Sequence, residues 1–171
     1  MANLLYDSLF GCHVGDKKTF LIFFDGSQLS YDAFLHMVGR FANTICEAGL
    51  TAGDRLAVCI EKSVEALALY AACVRSGVIF LPLNTAYKFT EVEYFISDSG
   101  ARMLISDDID KSLPLINSHN IILHSITADG GGSFTALAND ASCEFETVPR
   151  GADDLAALLY TSGTTGRSKG A

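Results

Sequence analysis

Positive charge is scarce in this sequence. Twelve lysines and arginines face 20 aspartates and glutamates, for a formal net charge of −8. A surface of that sign repels polyanions, so a nucleic-acid partner would need a concentrated basic patch, and none is visible. Prolines number only three and charged residues 19%, against 49% hydrophobic, which argues against wholesale disorder and supplies material for a sizeable core. No uninterrupted apolar run approaches the roughly 20 residues of a membrane span. The start, MANLLYDSLFGCHVGDKK, lacks the basic segment and long apolar stretch of a secretory signal, so a soluble, cytoplasmic protein is expected. Five cysteines (Cys12, Cys46, Cys59, Cys73, Cys143) show no CxxC spacing, and no histidine is placed to complete a zinc site. Cys46, Cys59 and Cys73 fall within apolar patterns and are expected to be buried thiols in a reducing compartment.

The 171 residues suit one domain of ordinary size. KTFLIFFDGSQLS reads as a strand, a turn at Asp25-Gly26 and a short return to Ser30, a good helix cap. From Tyr31 to Ala48, Phe34, Val38, Phe41 and Ile45 recur at helical spacing, with Gly49 as the stop. Arg55 to Ile60 reads as a strand, and Ser63 caps the next helix, VEALALYAACVRSG, apolar around nearly its whole circumference and ended by Gly77. Val78 to Leu83 is a continuous apolar strand. Thr90 and Glu93 have capping-box spacing before the short helix EVEYFISDSG, which Gly100 closes. ARMLIS and NIILHSI read as strands and SFTALAND as a short helix. ADGGGS reads as a flexible surface turn rather than a phosphate cradle, because no strand-to-helix junction is expected around it. DLAALLY is a strand or buried run. Strands alternating with helices predict an α/β fold with a mostly parallel sheet flanked by helices.

What positive charge there is collects at the end. Arg167 and Lys169 give residues 160–171 a charge of +2, which leaves −10 for residues 1–159 by difference. In LLYTSGTTGRSKGA, Leu158 to Ala171, glycines let the backbone turn its N–H groups toward a polyphosphate, hydroxyls add donors and Lys169 offers a charge-assisted bond. The spacing is not that of a Walker loop, since Arg167 and Ser168 separate Gly166 from Lys169. Composition alone fits a solvated linker as well. The apolar run entering the segment and its positive charge in an acidic chain favour a binding loop.

YTSGTTGRSKG resembles the phosphate-binding signature of the adenylate-forming (AMP-binding) superfamily, usually YTSGTTGxPKG, with Ser168 where proline is common. YAACVRSGVIFLPLN resembles the family's upstream helix–strand motif, in the right order. Within the superfamily EKSVEAL, LPLNTAY and EVEYFISD look most similar to malonyl-CoA synthetases, with related acyl-CoA synthetases next. The resemblance implies a fold that is the amino-terminal part of the acyl-CoA synthetase large domain, with residues 1–171 a partial AMP-binding domain. It implies an acid–CoA ligase that uses ATP, Mg²⁺ and coenzyme A to activate a carboxylic acid, malonate or a related short acid in the first instance, or a long-chain or other fatty acid. Carried onto this chain, Thr161, Ser162, Gly163, Thr164, Thr165, Gly166 and Lys169 would hold the β- and γ-phosphates, and one threonine hydroxyl would approach Mg²⁺. The family's adenine-binding segment, magnesium-binding glutamate, ribose-binding aspartate, hinge and catalytic lysine follow this motif in longer members. The 171 residues alone are therefore expected to be inactive and, with apolar surface exposed, prone to self-association.

Two other classes stay open on the residues alone: a different nucleotide-binding enzyme with the same loop as a phosphate clamp, and a non-catalytic α/β interaction module. Glu61-Lys62 and Asp153-Asp154 read as solvated or capping residues, Tyr70 and Tyr94 as packing. His13, His36, His119 and His124 share no spacing with carboxylates or cysteines that suggests chemistry.

Overall fold

The computed structural model describes residues 2–161 and 169–171. A short helix, α1 (Leu4–Leu9), leads through a 3₁₀ turn (Gly11–His13) into an antiparallel hairpin, β1 (Thr19–Ile22) and β2 (Gln28–Ser30). Ser30 then caps α2 (Tyr31–Glu47), its side chain accepting from Ala33 N at 3.1 Å. The order continues as β3 (Arg55–Cys59), α3 (Val64–Ser76), β4 (Ile79–Pro82), α4 (Phe89–Ser99), β5 (Met103–Ser106), α5 (Ile109–Ser112), α6 (Pro114–His119), β6 (Ile122–Ser125) and α7 (Ser133–Asp140). Strands β4-β3-β5-β6 form one parallel sheet in that order. The mostly parallel α/β architecture is as the sequence predicts.

The sheet is buried on both faces, as a parallel sheet must be when helices cross over each side. Leu56, Val58, Met103 and Ile105 face α2, α3 and α7, while Ala57, Cys59 and Leu104 face α4 and α6. Along α2, Phe34, Val38, Ala42 and Ile45 are fully buried, so its apolar stripe is the face laid on α3. Ser63 caps α3 by accepting from Ala66 N at 3.1 Å, and Gly77 ends it at φ 74°. Residues 142–145 strap across α2, held by Asn43 Nδ2 donating to Ser142 O and Glu144 O at 2.7 and 2.8 Å. Asn3 fastens the other end of the chain. It caps α1 by accepting from Tyr6 N, and its amide donates to Val74 O at 2.8 Å and Val148 O at 2.9 Å.

Three expectations change. The helix predicted to start with a Thr90–Glu93 capping box starts earlier, at Phe89, and the reach-back is from Glu91, whose carboxylate accepts from Lys88 N at 2.9 Å. Phe89 packs against the α4 side of the core, and the cap lies two residues earlier, at Lys88 instead of Thr90. Cys46 is only half-buried, while Cys59 and Cys73 are buried as expected. Helices α1, α5 and α6, of six, four and six residues, are too short for a periodic signal and were not expected. Among the described residues no helix is long and apolar enough to cross a membrane.

Candidate functional site

The terminal motif enters the fold along the open edge of the parallel sheet. Phe80 N donates to Ala156 O at 3.0 Å and Leu158 N donates to Phe80 O at 2.9 Å, so the apolar run before the motif lies parallel to β4. Leu158 also packs into the α4 side of the core. Just beyond, β7 (Tyr160–Thr161) pairs antiparallel with β8 (Lys169–Gly170), Tyr160 opposite Gly170 and Thr161 opposite Lys169. Leu159 and Ala171 exchange two N–H···O bonds of 2.9 Å below them. Gly170 lies against Leu158 and Tyr160, where a Cβ would stand 2.9 Å from Leu158 Cδ1.

The structure therefore brings together the two ends of the proposed phosphate loop. Thr161 and Lys169 are exposed and stand opposite each other at its neck. Ser162, Gly163, Thr164, Thr165 and Gly166, between them in sequence, lie outside the described residues. What the neck offers is a hydroxyl on one strand and an ammonium on the other, a donor and a fixed positive charge suited to phosphate oxygens. Two residues that sequence reasoning left out of the site hold this neck. The half-buried Tyr160 ring lies 4.5 Å from Phe95 and 6.3 Å from Tyr94, and its hydroxyl donates to Asp98 Oδ2 at 2.6 Å. Burial, reinforced by the hydrogen bond to Asp98 and its charge, pushes the Tyr160 phenol well above its ordinary value, so it stays a neutral donor. Asp98 lies in the last turn of an ordinary amphipathic helix, and nothing in its local sequence links it to a tyrosine 62 positions later.

A second concavity, of about 390 Å³, opens past the carboxyl ends of β3 and β5. This is where the chain order of the sheet reverses, the place where ligands commonly sit in open α/β sheets. Its polar groups are largely engaged with one another: Thr85 Oγ1 donates to Glu61, Lys111 Nζ to Tyr87 O at 2.7 Å, and Ser112 Oγ to Ser106 Oγ at 3.1 Å. Burial, with Asp107 beside it, pushes the Cys59 thiol up to about 11, so it is no nucleophile at neutral pH.

The ADGGGS turn corrects one premise. It does join a strand to a helix, β6 to α7, so the missing junction cannot be the reason it is not a phosphate cradle. The reason is that its donors are taken. Asp129 Oδ1 accepts from Thr127 Oγ1 and Gly131 N, Gly130 N donates to Thr127 O, and Ser133 N donates to Ser125 Oγ. These bonds also make the turn a defined one, and Gly132 at φ 121° passes so close to Ser125 O that no side chain fits. Asp154 accepts from Gly151 N and pairs with Arg150 at 3.4 Å, a capping role as expected. Histidines do meet carboxylates, His13 with Asp16 at 3.6 Å and His119 with Glu93 at 3.7 Å, but in separate places on the surface. Among the described residues no group of three or more His, Cys, Asp or Glu is placed to hold a metal ion.

Comparison with known proteins matches residues 12–171 to the family model described as AMP-binding enzyme. The crystal structure of apo MatB from Rhodopseudomonas palustris superposes with a TM-score of 0.94 at 43% identity, over all of this chain and 34% of that one. The ATP-bound form of that protein superposes at 0.93 and 44% identity, with the same coverage. The uncharacterized acyl-CoA ligase YtcI of Bacillus subtilis is 29% identical over 161 residues, 90% of this chain and 30% of that protein. The long-chain-fatty-acid–CoA ligase FadD13 of Mycobacterium tuberculosis is 29% identical over 148 residues, 84% of this chain and 29% of that one. The chain thus spans about a third of the length of these relatives.

Proposed function

The chain belongs to the AMP-binding enzyme family, and from that premise we propose that residues 1–171 form the amino-terminal part of a cytoplasmic, ATP-dependent acid–CoA ligase. In the proposed reaction a carboxylate oxygen attacks the α-phosphorus of ATP, giving an acyl-adenylate and releasing pyrophosphate. The coenzyme A thiolate then attacks the acyl carbonyl and AMP leaves. The observation that supports the reading most directly is the neck, which sets Thr161 against Lys169 at the two ends of the motif.

In this reading Thr161, Ser162, Gly163, Thr164, Thr165, Gly166 and Lys169 hold the β- and γ-phosphates. Charge develops on the departing pyrophosphate, and such charge is best stabilised by donors that need not reorganise during the reaction. The donor set fits a polyphosphate: hydroxyls, glycine amides free to turn inward and one ammonium. Mg²⁺, bound with ATP, would neutralise part of the phosphate charge, with a threonine hydroxyl as its contact from this chain.

The proposed acid is malonate or a related short acid, on the resemblance of EKSVEAL, LPLNTAY and EVEYFISD to malonyl-CoA synthetases. A longer fatty acid is the second reading, favoured by the similarity to FadD13. The test is ATP–pyrophosphate exchange by the protein with whatever its reading frame encodes beyond Ala171, offered malonate, methylmalonate, acetate and a long-chain acid. Fastest exchange with malonate is the expected result. Fastest exchange with the long-chain acid would transfer the assignment to the second reading, and no exchange with any acid would overturn the ligase.

A further inference from the structure

We propose that Tyr160 and Asp98 are a positioning pair that presents the phosphate-binding loop, by fixing its neck to the end of α4. The inference rests on the reading of residues 161–169 as a phosphate site and adds two residues to it.

A ribbon of two residues per strand does not hold its own register, since even a full two-stranded hairpin is marginal in water. Its geometry must be imposed from outside. On one side the sheet does so, through Leu158 N and Phe80 O. On the other side Tyr160 does so, with its ring on Phe95 and its hydroxyl on Asp98 at 2.6 Å. Neighbouring strand residues point to opposite faces. Anchoring Tyr160 against α4 therefore turns Thr161 the other way, outward, with Lys169 opposite it.

The acceptor is itself held in place. Val92, Phe95 and Ile96 bury α4, and the Arg55 guanidinium locks the helix end, Nε donating to Ser99 O at 2.7 Å and Nη2 to Gly100 O at 2.8 Å. A continuous path thus runs from the first residue of β3 through the end of α4 to Tyr160 and the neck. Lengthening the Tyr160–Asp98 contact would leave the core intact and let the two donors at the neck drift relative to each other.

The experiment uses the protein with whatever its reading frame encodes beyond Ala171, with Mg-ATP as the probe and Tyr160→Phe, Asp98→Ala, Asp98→Asn and the double variant Tyr160→Phe/Asp98→Ala. Tyr160→Phe and Asp98→Ala are each expected to weaken Mg-ATP binding about fivefold, less than the full worth of a hydrogen bond to a charged group because the bond reaches the ligand only through the neck. The double variant should weaken it no further, because both changes remove the same bond. Asp98→Asn, which keeps an acceptor oxygen, should stay within about twofold of the parent. In the unliganded chain the amides of Leu159 and Ala171 should exchange faster in Tyr160→Phe, with those of α2 unchanged. Equal binding by parent and Tyr160→Phe, or an Asp98→Asn variant as weak as Asp98→Ala, would overturn the inference and leave the phosphate site standing. Absence of Mg-ATP binding by the parent chain would overturn both. If Tyr160→Phe does not fold, the contrast between the two Asp98 variants carries the test.

Discussion

Gly39 lies in the middle of α2, where glycine is ordinarily unfavourable, because the strap at residues 142–145 crosses the helix there. A Cβ at this position would stand 1.9 Å from the Cys143 carbonyl oxygen. Gly39→Ala is therefore expected to cost about 2–4 kcal/mol in urea unfolding, whereas Gly151→Ala, with its nearest neighbour at 3.8 Å, should stay within about 0.5 kcal/mol. His124 carries a second residue-scale prediction. Burial on β6 lowers its pKa from the ordinary 6.5, so the folded chain binds fewer protons there than the unfolded chain. Its contribution is complete above about pH 6.5 and is lost as the pH falls through the folded value. Unfolding free energies measured at about pH 7.5 and about pH 5.5 should differ less in His124→Gln than in the parent; an equal difference would show that the ring carries no such linkage. Both effects escaped the sequence for one reason. Gly39 owes its character to the strap at Cys143, 104 positions away, and His124 to its burial, with the Phe134 ring 6.0 Å from its own, and neither pairing leaves a local signature.

Caps and stops make the elements of this chain legible from one dimension. Ser30 and Ser63 each accept from the N–H three residues on, and Gly77 and Gly100 end their helices in the left-handed region. These signals act within a turn, so a sequence carries them whole. Ser63→Ala should cost about 1 kcal/mol, read as a lower urea midpoint with unchanged slope. An unchanged midpoint would mean that the packing of α3 alone holds its first turn. Where element boundaries moved, a tertiary contact outweighed the local signal, as with Phe89 ahead of Thr90. The edge run 156–158 is legible in the sequence as a strand or a buried run, and the choice between them rests on a single bridge to β4. The motif itself was legible in its residue types and spacing. Its mounting was not, since Asp98 approaches Tyr160 only once α4 has folded back along the sheet.

At the scale of the whole molecule, an apolar groove of about 400 Å³ runs between α1 and the edge run, lined by Leu4, Leu5, Val74, Val78 and Leu155. Leu4 and Leu155 are 52% and 63% exposed, and exposed apolar side chains along a groove mark a surface suited to association. The chain is expected to self-associate at micromolar concentration, and Leu155→Glu should shift its sedimentation toward monomer. A parent chain that sediments as a compact monomer and excludes hydrophobic dye would remove this expectation. Beside the groove lies Asn3, whose amide clasps Val74 and Val148. Those partners are 71 and 145 positions downstream. At a synthesis rate of about 5–20 residues per second, the later of the two emerges from the ribosome roughly 7–30 s after Asn3 itself. Until Val74 emerges α1 has its own cap and no clasp, and until Val148 emerges only half of it, so the first of these helices to be translated is buckled down late.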